Sequence, residues 1–277
     1  MSYGMNQERQ NLQLFIRGGL GNQLFQLSGA LFHANRLSAN LIVNETALIN
    51  HHDFTRKNWV SKLDLISLTG NTEIKWVTNR RINLSVRKRD FEEINEEALF
   101  DLTSMKNNLS FRGWFQTSYF PLNLKLDKNA LKPNSISNNT KNYVKEISNS
   151  ADLAGIHMRF GDFAETSWGT LSRDWHVKAF NELENLGIRH AHIYSDEIDV
   201  AKKLLSEIPH SFSFSFPETS GTFLPHELLW LMRQYDTFLS SNSTLSWWAS
   251  FLNENDNPTI LCPWEENLHL NPWIKID

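Results

Sequence analysis

The chain is poor in cysteine, in long apolar runs and in excess charge of either sign. Cys262 is the one cysteine in 277 residues, which excludes an internal disulfide and a cysteine-based metal cluster and fits a reducing compartment. No stretch approaches the ~18 consecutive apolar residues of a membrane-spanning helix. A net charge of −4 gives no basic surface for nucleic acid, so any phosphate site must be local.

What the chain does contain is typical of a globular protein. Hydrophobic residues make up 40% and charged residues 21% of the sequence, and the length allows one large or two medium domains with their own cores. The start of the chain lacks the basic residues and apolar run of a signal peptide. We therefore expect a cytoplasmic protein.

The first part of the sequence predicts a βαβ unit. The apolar run at 12–16 ends in a glycine-rich turn, apolar residues then recur at helical spacing up to Leu37, and a second apolar run follows at 41–43. The stretch up to residue 131 is less periodic, and only strands at 81–86 and 111–115 are predicted there.

The polar, Asn- and Ser-rich segment 132–150 predicts a domain boundary, with a short helix at 140–148. Beyond it, apolar strands alternate with helical patterns, which favours an α/β fold with a parallel sheet covered on both faces. The expected domains are therefore 1–132 and 133–277. The predicted strands are 153–158, 190–194, 236–240 and 258–262, and the predicted helices are 173–186, 197–207, 225–234 and 244–253.

Unusual polar residues follow the predicted strands, where ligands bind in parallel α/β sheets. In the first cluster, Gly19 and Gly21 would let a ligand approach the backbone. A tight strand-to-helix turn would explain these glycines equally well. Asn22 and Gln23 favour a ligand site, because two amides opening an otherwise apolar helix have no obvious packing purpose.

The second cluster follows the strand at 153–158. His157 and Arg159 share one face of an extended strand, and Arg159 can offer a two-pronged donor to a phosphate. Asp162 could orient Arg159, cap a loop or accept a proton. The alternative is a buried Arg159–Asp162 pair that only tethers a loop.

Two further clusters lie at predicted strand ends. Asp196 could read nucleoside hydroxyls, although a helix N-cap is an equally good interpretation. Ser243, Thr244 and Ser246 put hydroxyl groups at a helix start, where phosphate or sugar oxygens could bind. We interpret the neighbouring Trp247 and Trp248 as packing residues.

The sequence contains no Asp-x-Asp motif. An enzyme that holds a diphosphate through a divalent cation needs carboxylates arranged around that cation. We therefore expect no metal cofactor, with Arg159 and backbone N–H groups neutralising a diphosphate instead.

Four motifs together resemble the α-1,2-fucosyltransferases of glycosyltransferase family 11: GGLGNQLFQ, HMRFGDF, YSDE and SNSTLSWWASFL, in this order along the chain. The resemblance implies a GT-B type fold, with two Rossmann-like domains facing across a cleft. It also implies GDP-fucose as the donor, inversion at the sugar carbon and no metal requirement. Residues 1–132 would be the acceptor-side domain with the glycine-rich loop, and 133–277 the GDP-sugar-binding domain.

The resemblance also implies roles for single residues. Arg159, with His157 beside it, falls on the motif expected to grip the donor diphosphate, and Asn22 on the motif expected to face the donor. Asp196 matches a position expected near the nucleoside. The other implied donor-binding residues are Gly19, Gly21, Gln23, Ser243, Thr244 and Ser246. Phe160 departs from the pattern, because the family has a second arginine there.

The predicted catalytic residues are Arg159, Asn22 and Asp162, the last because it is the nearest acidic residue in sequence that could act as the general base. Glu45 and Asp53 remain alternative bases. The acceptor would be a glycan hydroxyl, with α-1,2 linkage to galactose, in a lipid-linked O-antigen unit at the inner face of the membrane. Two alternatives stay open: transfer of another GDP-deoxysugar such as colitose or rhamnose, and non-catalytic binding of a GDP-sugar.

Overall fold

A computed structural model describes residues 9–49, 56–69, 72, 74–77, 91–161, 169–217 and 223–277. The chain divides into two compact units, Met1–Leu126 and Asp127–Asp277. The domain boundary predicted from the sequence, between residues 132 and 133, lies six residues later. No helix within the described ranges is both long and apolar enough to cross a membrane.

The N-terminal unit is built on a parallel sheet. Its strands are β1 Asn11–Phe15, β2 Asn40–Asn44, β3 Ile74–Val77, β4 Phe91–Ile94 and β5 Asn108–Phe111. Its helices are α1 Leu20–Arg36, α2 Thr46–Ile49, α3 Ile66–Thr69, α4 Glu96–Asp101 and α5 Tyr119–Asn123. The strand order is β3-β2-β1-β5-β4, and every pairing is parallel. The predicted βαβ unit is confirmed as β1-α1-β2.

The predicted strand at 111–115 is wrong over most of its length. Strand β5 ends at Phe111, and Phe115 has a left-handed backbone with φ of 50°. Apolar and aromatic composition favoured a strand here, but tertiary contacts of the following loop override it. The predicted strand at 81–86 lies outside the described residues.

The C-terminal unit is built on a second parallel sheet. Its strands are β6 Leu153–Met158, β7 His190–Ser195, β8 Ser213–Ser215, β9 Thr237–Leu239, β10 Thr259–Cys262 and β11 Ile274–Lys275. Its helices are α6 Asn138–Ser148, α7 Arg173–Asn185, α8 Ile198–Glu207, α9 Pro225–Met232 and α10 Thr244–Phe251. The predicted strands and helices of this unit are confirmed to within one or two residues at most ends. The short strands β8 and β11 were not predicted.

In both sheets the strand order reverses next to the first strand of the unit. In the C-terminal sheet the order is β8-β7-β6-β9-β10-β11, so the chain builds outward from β6 on one side and then returns to β9 on the other. In the N-terminal sheet the same change separates β1 from β5. Ligands of such sheets bind beyond the carboxyl ends of the strands at this switch point. Ligand sites are therefore expected after β6 and β9 in one unit and after β1 and β5 in the other.

A buried arginine fixes the beginning of the C-terminal unit. Arg233 is fully buried and donates to the carbonyl groups of Lys128, Ala130 and Leu131. Its guanidinium also pairs with Glu254 at 2.5 Å. Burial lowers the pKa of Arg233 to about 10, so the group stays charged at neutral pH and holds the first segment of the unit against α9.

Candidate active site

The end of β6 carries a buried, neutral histidine. His157 is 6% exposed, and a hydrogen bond of 2.8 Å joins its Nδ1 to Ser241 Oγ after β9. Burial, with a smaller effect of the nearby Arg159, lowers the pKa of His157 to about 3. His157 is therefore uncharged at neutral pH and ties together the two strands that flank the switch point.

Arg159 is held by an acidic residue from the neighbouring strand. Its Nη1 lies 3.1 Å from Asp196 Oδ2 after β7, and both side chains are about one quarter exposed (25% and 23%). The other oxygen of Asp196 accepts a hydrogen bond of 3.0 Å from the backbone N–H of Phe160. Asp196 thus orients the guanidinium that the sequence predicts at a diphosphate. Asp162, the other predicted partner of Arg159, lies outside the described residues.

Gly161 leaves room for the carboxylate of this pair. A Cβ atom at Gly161 would lie 2.4 Å from Asp196 Oδ2, inside any allowed contact distance. The carboxylate reaches Arg159 because position 161 has no side chain. Neither this contact nor the Asp196–Arg159 pair was predicted from the sequence.

Hydroxyl groups shape the turn between β9 and α10. Ser246 is fully buried; its Oγ lies 2.9 Å from Ser240 Oγ and accepts from the backbone N–H of Ser241 at 3.1 Å. Ser243 is the N-cap of α10, yet its side chain makes no capping hydrogen bond, and Thr244 is the first helical residue. Ser246 therefore stabilises the turn through its hydroxyl group, and Ser243 and Thr244 lie at the start of α10. The donor contacts predicted for these three residues stay predictions.

Trp247 and Trp248 are fully buried, as predicted for packing residues. The indole N–H of Trp247 donates to the carbonyl of Leu268 at 2.7 Å.

A separate buried polar cluster is formed by His192, Tyr235 and Tyr194. The Nδ1 of His192 lies 2.7 Å from Tyr235 Oη. Tyr194 Oη lies 2.7 Å from the same Tyr235 hydroxyl.

The glycine-rich turn of the N-terminal unit joins β1 to α1. Gly18 has a φ of +81°, which favours glycine, Gly19 is the N-cap of α1 and Gly21 is buried in its first turn. Asn22 Oδ1 accepts a hydrogen bond of 2.9 Å from Gln116 Nε2. The turn brings Asn22 next to the loop after β5, which the sequence did not predict.

Gln23 has a structural role that the sequence interpretation missed. Its side chain is fully buried, and its Nε2 donates to the carbonyls of Gly18 and Lys57 at 2.8 and 2.7 Å. Its Oε1 accepts from the N–H groups of Trp59 and Val60, both at 3.2 Å. The assumption that both amides lack a packing purpose is wrong for Gln23, because its amide has no hydrogen-bonding capacity left for a ligand.

Of the two alternative general bases, the structure describes Glu45 but not Asp53. Glu45 follows β2 and is 8% exposed, and its carboxylate accepts a hydrogen bond from the Asn58 amide. Asp53 lies outside the described residues, as does Asp162. The identity of the base therefore stays a prediction.

Two doubly wound parallel sheets, one with an oriented arginine at its switch point, form the architecture of the GT-B fold. Solved fucosyltransferase structures share the fold. POFUT1 in complex with GDP-fucose superposes with a TM-score of 0.58 at 12% identity over 96% of this chain and 98% of that one. Arabidopsis thaliana FUT1 gives 0.57 at 13% identity over 94% and 72%, and NodZ from Bradyrhizobium gives 0.54 at 13% identity over 91% and 97%.

The sequence comparisons agree with this fold. The profile of Glycosyl transferase family 11 matches residues 134–271, which lie within the C-terminal unit. The O-antigen biosynthesis glycosyltransferase WbnK of Escherichia coli is 22% identical over 94% of this chain and 99% of its own length. An alpha-1,2-colitosyltransferase of Escherichia coli is 23% identical over 95% and 97%, respectively.

Proposed function

We propose that this glycosyltransferase transfers L-fucose from GDP-fucose to a hydroxyl of an acceptor glycan, with inversion and with α-1,2 linkage to galactose, in O-antigen synthesis. The observation that carries the proposal is the Asp196–Arg159 pair at the switch point of the C-terminal sheet. POFUT1 and NodZ, which share the fold, were solved with GDP-fucose and with GDP. The relative WbnK supports the O-antigen context.

In the proposed reaction, the acceptor oxygen forms a bond to the anomeric carbon while the bond from that carbon to the diphosphate oxygen breaks. GDP leaves with the electron pair, and the acceptor proton passes to a general base. Arg159 stabilises the charge that develops on the diphosphate, helped by the N–H groups at the start of α10. His157 is neutral and adds no charge, so it acts by positioning the end of β6.

We further propose that no metal ion takes part, because Arg159 supplies the positive charge that a divalent cation would otherwise provide. Transfer should then proceed at the same rate after exhaustive treatment with EDTA. A loss of activity that Mg²⁺ or Mn²⁺ restores would overturn this part of the proposal.

Colitose is the second candidate for the transferred sugar, because a relative of matching length is an alpha-1,2-colitosyltransferase. Colitose is fucose without its 3-hydroxyl group. A site built to hydrogen-bond that hydroxyl would reject colitose by about 10⁴-fold, whereas a site shaped for colitose would reject the added hydroxyl by only about 10²-fold.

The deciding experiment offers GDP-fucose and GDP-colitose separately to the full chain with a panel of galactose-terminated oligosaccharides. We expect GDP release together with a product whose mass has increased by one fucose residue, and a much higher kcat/KM for GDP-fucose. A preference for GDP-colitose would replace the donor assignment. Binding of GDP without any product would favour the non-catalytic alternative.

A further inference from the structure

The switch point of the N-terminal sheet carries an aromatic surface that the proposed reaction does not yet use. Trp114 lies in the loop after β5, and 40% of it is exposed. The guanidinium carbon of Arg17, directly after β1, lies 4.2 Å from the centroid of its ring. The two residues thus meet at the edge of the sheet where a doubly wound fold binds its ligand.

The loop that presents Trp114 is rigidly built. Both carboxylate oxygens of Glu96 are engaged by this loop, one by the N–H of Trp114 at 2.8 Å and the other by the N–H of Phe115 at 3.1 Å. Phe115 is fully buried in a left-handed conformation, and it packs so closely on α1 that a Cβ at Gly29 would lie 2.4 Å from its ring. Backbone strain of this kind costs about 1–3 kcal/mol and is found at functional sites.

The backbone of Arg17 is also fixed. Its backbone N–H donates to Gln26 Oε1 at 3.1 Å, and its carbonyl accepts from Gln26 Nε2 at 2.8 Å. The Nε of Arg17 is buried and has no hydrogen-bond partner within the described part of the chain. A guanidinium has five N–H donors, so the donors other than Nε can form a hydrogen bond to a ligand oxygen.

Asn22 adjoins the same surface. A Cβ at Gly18 would lie 3.0 Å from Asn22 Nδ2 and 3.4 Å from Trp114 Cζ3, so both side chains lie beside Gly18. Gln116, two residues after Trp114, donates to Asn22. The indole of Trp114, the guanidinium of Arg17 and the amide of Asn22 therefore lie close together.

We propose that Arg17 and Trp114 form a binding subsite for a pyranose ring of the acceptor glycan. The apolar C–H face of the sugar packs on the exposed indole, and a sugar oxygen accepts a hydrogen bond from Arg17. A rigid aromatic ring supplies contact area at little cost in conformational entropy, and fixed polar groups beside it set the orientation. The assignment of this sugar to the acceptor rests on the proposed function.

The subsite can be tested without donor or turnover, by saturation-transfer difference NMR of methyl β-D-galactopyranoside with the full chain. We expect transfer to the C–H protons of one sugar face, with the affinity falling at least about tenfold in Trp114→Ala and in Arg17→Met. Trp114→Phe should retain part of the binding. Phe214→Ala is the matched control, because Phe214 is also 40% exposed but lies on β8 of the other unit.

Thermal unfolding and GDP titration of each variant show whether the fold is kept. If Trp114→Ala does not fold, the affinities of Trp114→Phe and Arg17→Met for the galactoside test the subsite instead. Equal affinity in the wild type and the folded variants would overturn the subsite, as would the absence of any signal from the wild type with galactosides, glucosides and N-acetylhexosamines. Sugar binding without transfer would overturn the proposed function alone. Transfer with an unchanged acceptor KM in Trp114→Ala would overturn the subsite alone.

Discussion

The carboxylate of Asp196 joins two neighbours at the end of β6: one oxygen lies 3.1 Å from the Arg159 guanidinium, and the other accepts from the Phe160 N–H. Both charged side chains are about one quarter exposed, and pairs near the surface add only about 0.2–1 kcal/mol to stability. The main consequence of the pair is therefore the orientation of Arg159 and not the stability of the fold.

Arg159→Ala should lower kcat for transfer by about 10²–10³-fold, because one donor to a developing negative charge contributes about that much. The melting temperature should change little. Steady-state kinetics with GDP-fucose and calorimetry of the variant check both statements. Arg173→Ala is the matched control, since Arg173 in α7 is bonded to the Glu207 carbonyl and should not affect transfer. Substantial transfer by Arg159→Ala would remove Arg159 from its assigned role.

Asp196→Asn removes the charge but keeps an oxygen that can accept from the Phe160 N–H. We expect kcat to fall by about tenfold, because Arg159 loses its fixed orientation. The double variant Arg159→Ala, Asp196→Asn should be no slower than Arg159→Ala alone, since the two residues act as a unit. Additive losses in this cycle would mean that Asp196 acts independently, for example on the nucleoside as first predicted.

Gly161→Ala should have the same effect as Asp196→Asn, because it also disrupts the Asp196–Arg159 pair. The new methyl group would lie 2.4 Å from Asp196 Oδ2 and must displace the carboxylate from Arg159. We expect kcat to fall by about tenfold, with no further loss when Asp196→Asn is combined with it. A rate equal to that of the wild type would show that the carboxylate can move without consequence.

Much of the C-terminal unit could be predicted because local sequence patterns mark its strands and helices. Strand β6 is a continuous apolar run, α8 has apolar residues at helical spacing, and polar residues follow each strand. The position of Arg159 at a strand end followed from that pattern. Its partner did not, because Asp196 is 37 residues away in sequence, and the parallel pairing of β6 with β7 brings the two strand ends together.

The loop after β5 could not be predicted for the same kind of reason. The sequence FRGWF has the composition of a strand, and nothing within it indicates a left-handed Phe115. That conformation depends on Glu96 and Gly29, which lie in other elements. Local propensity gives way to such contacts, and the resulting loop leaves Trp114 40% exposed.

Gln23→Ala should destabilise the N-terminal unit by about 2–4 kcal/mol, since it removes four hydrogen bonds between the Gln23 amide and the backbone of Gly18 and of the 57–60 segment. Urea unfolding measures the change. Gln234→Ala serves as the control, because the Gln234 side chain donates one hydrogen bond, to the Trp230 carbonyl in the preceding helix α9, and its loss should cost less than about 1 kcal/mol. Equal losses in the two variants would contradict the structural role of Gln23.

His157 predicts how stability depends on pH. Its pKa is about 3 in the folded chain, against 6.5 as the unperturbed value. Between these values the unfolded state binds more protons, so the free energy of unfolding rises with pH up to about 6.5 and is then flat. From pH 7 to pH 5 this one residue should remove about 2 kcal/mol of stability.

The variant His157→Gln isolates this contribution, since glutamine can still hydrogen-bond Ser241 but does not titrate. The loss of unfolding free energy between pH 7 and pH 5, measured by urea unfolding, should be smaller in the variant than in the wild type by about 2 kcal/mol. All other titrating groups are common to both proteins and cancel in the comparison. Identical losses would mean that His157 is protonated as readily in the folded chain as in the unfolded one, which is incompatible with its burial beside Arg159.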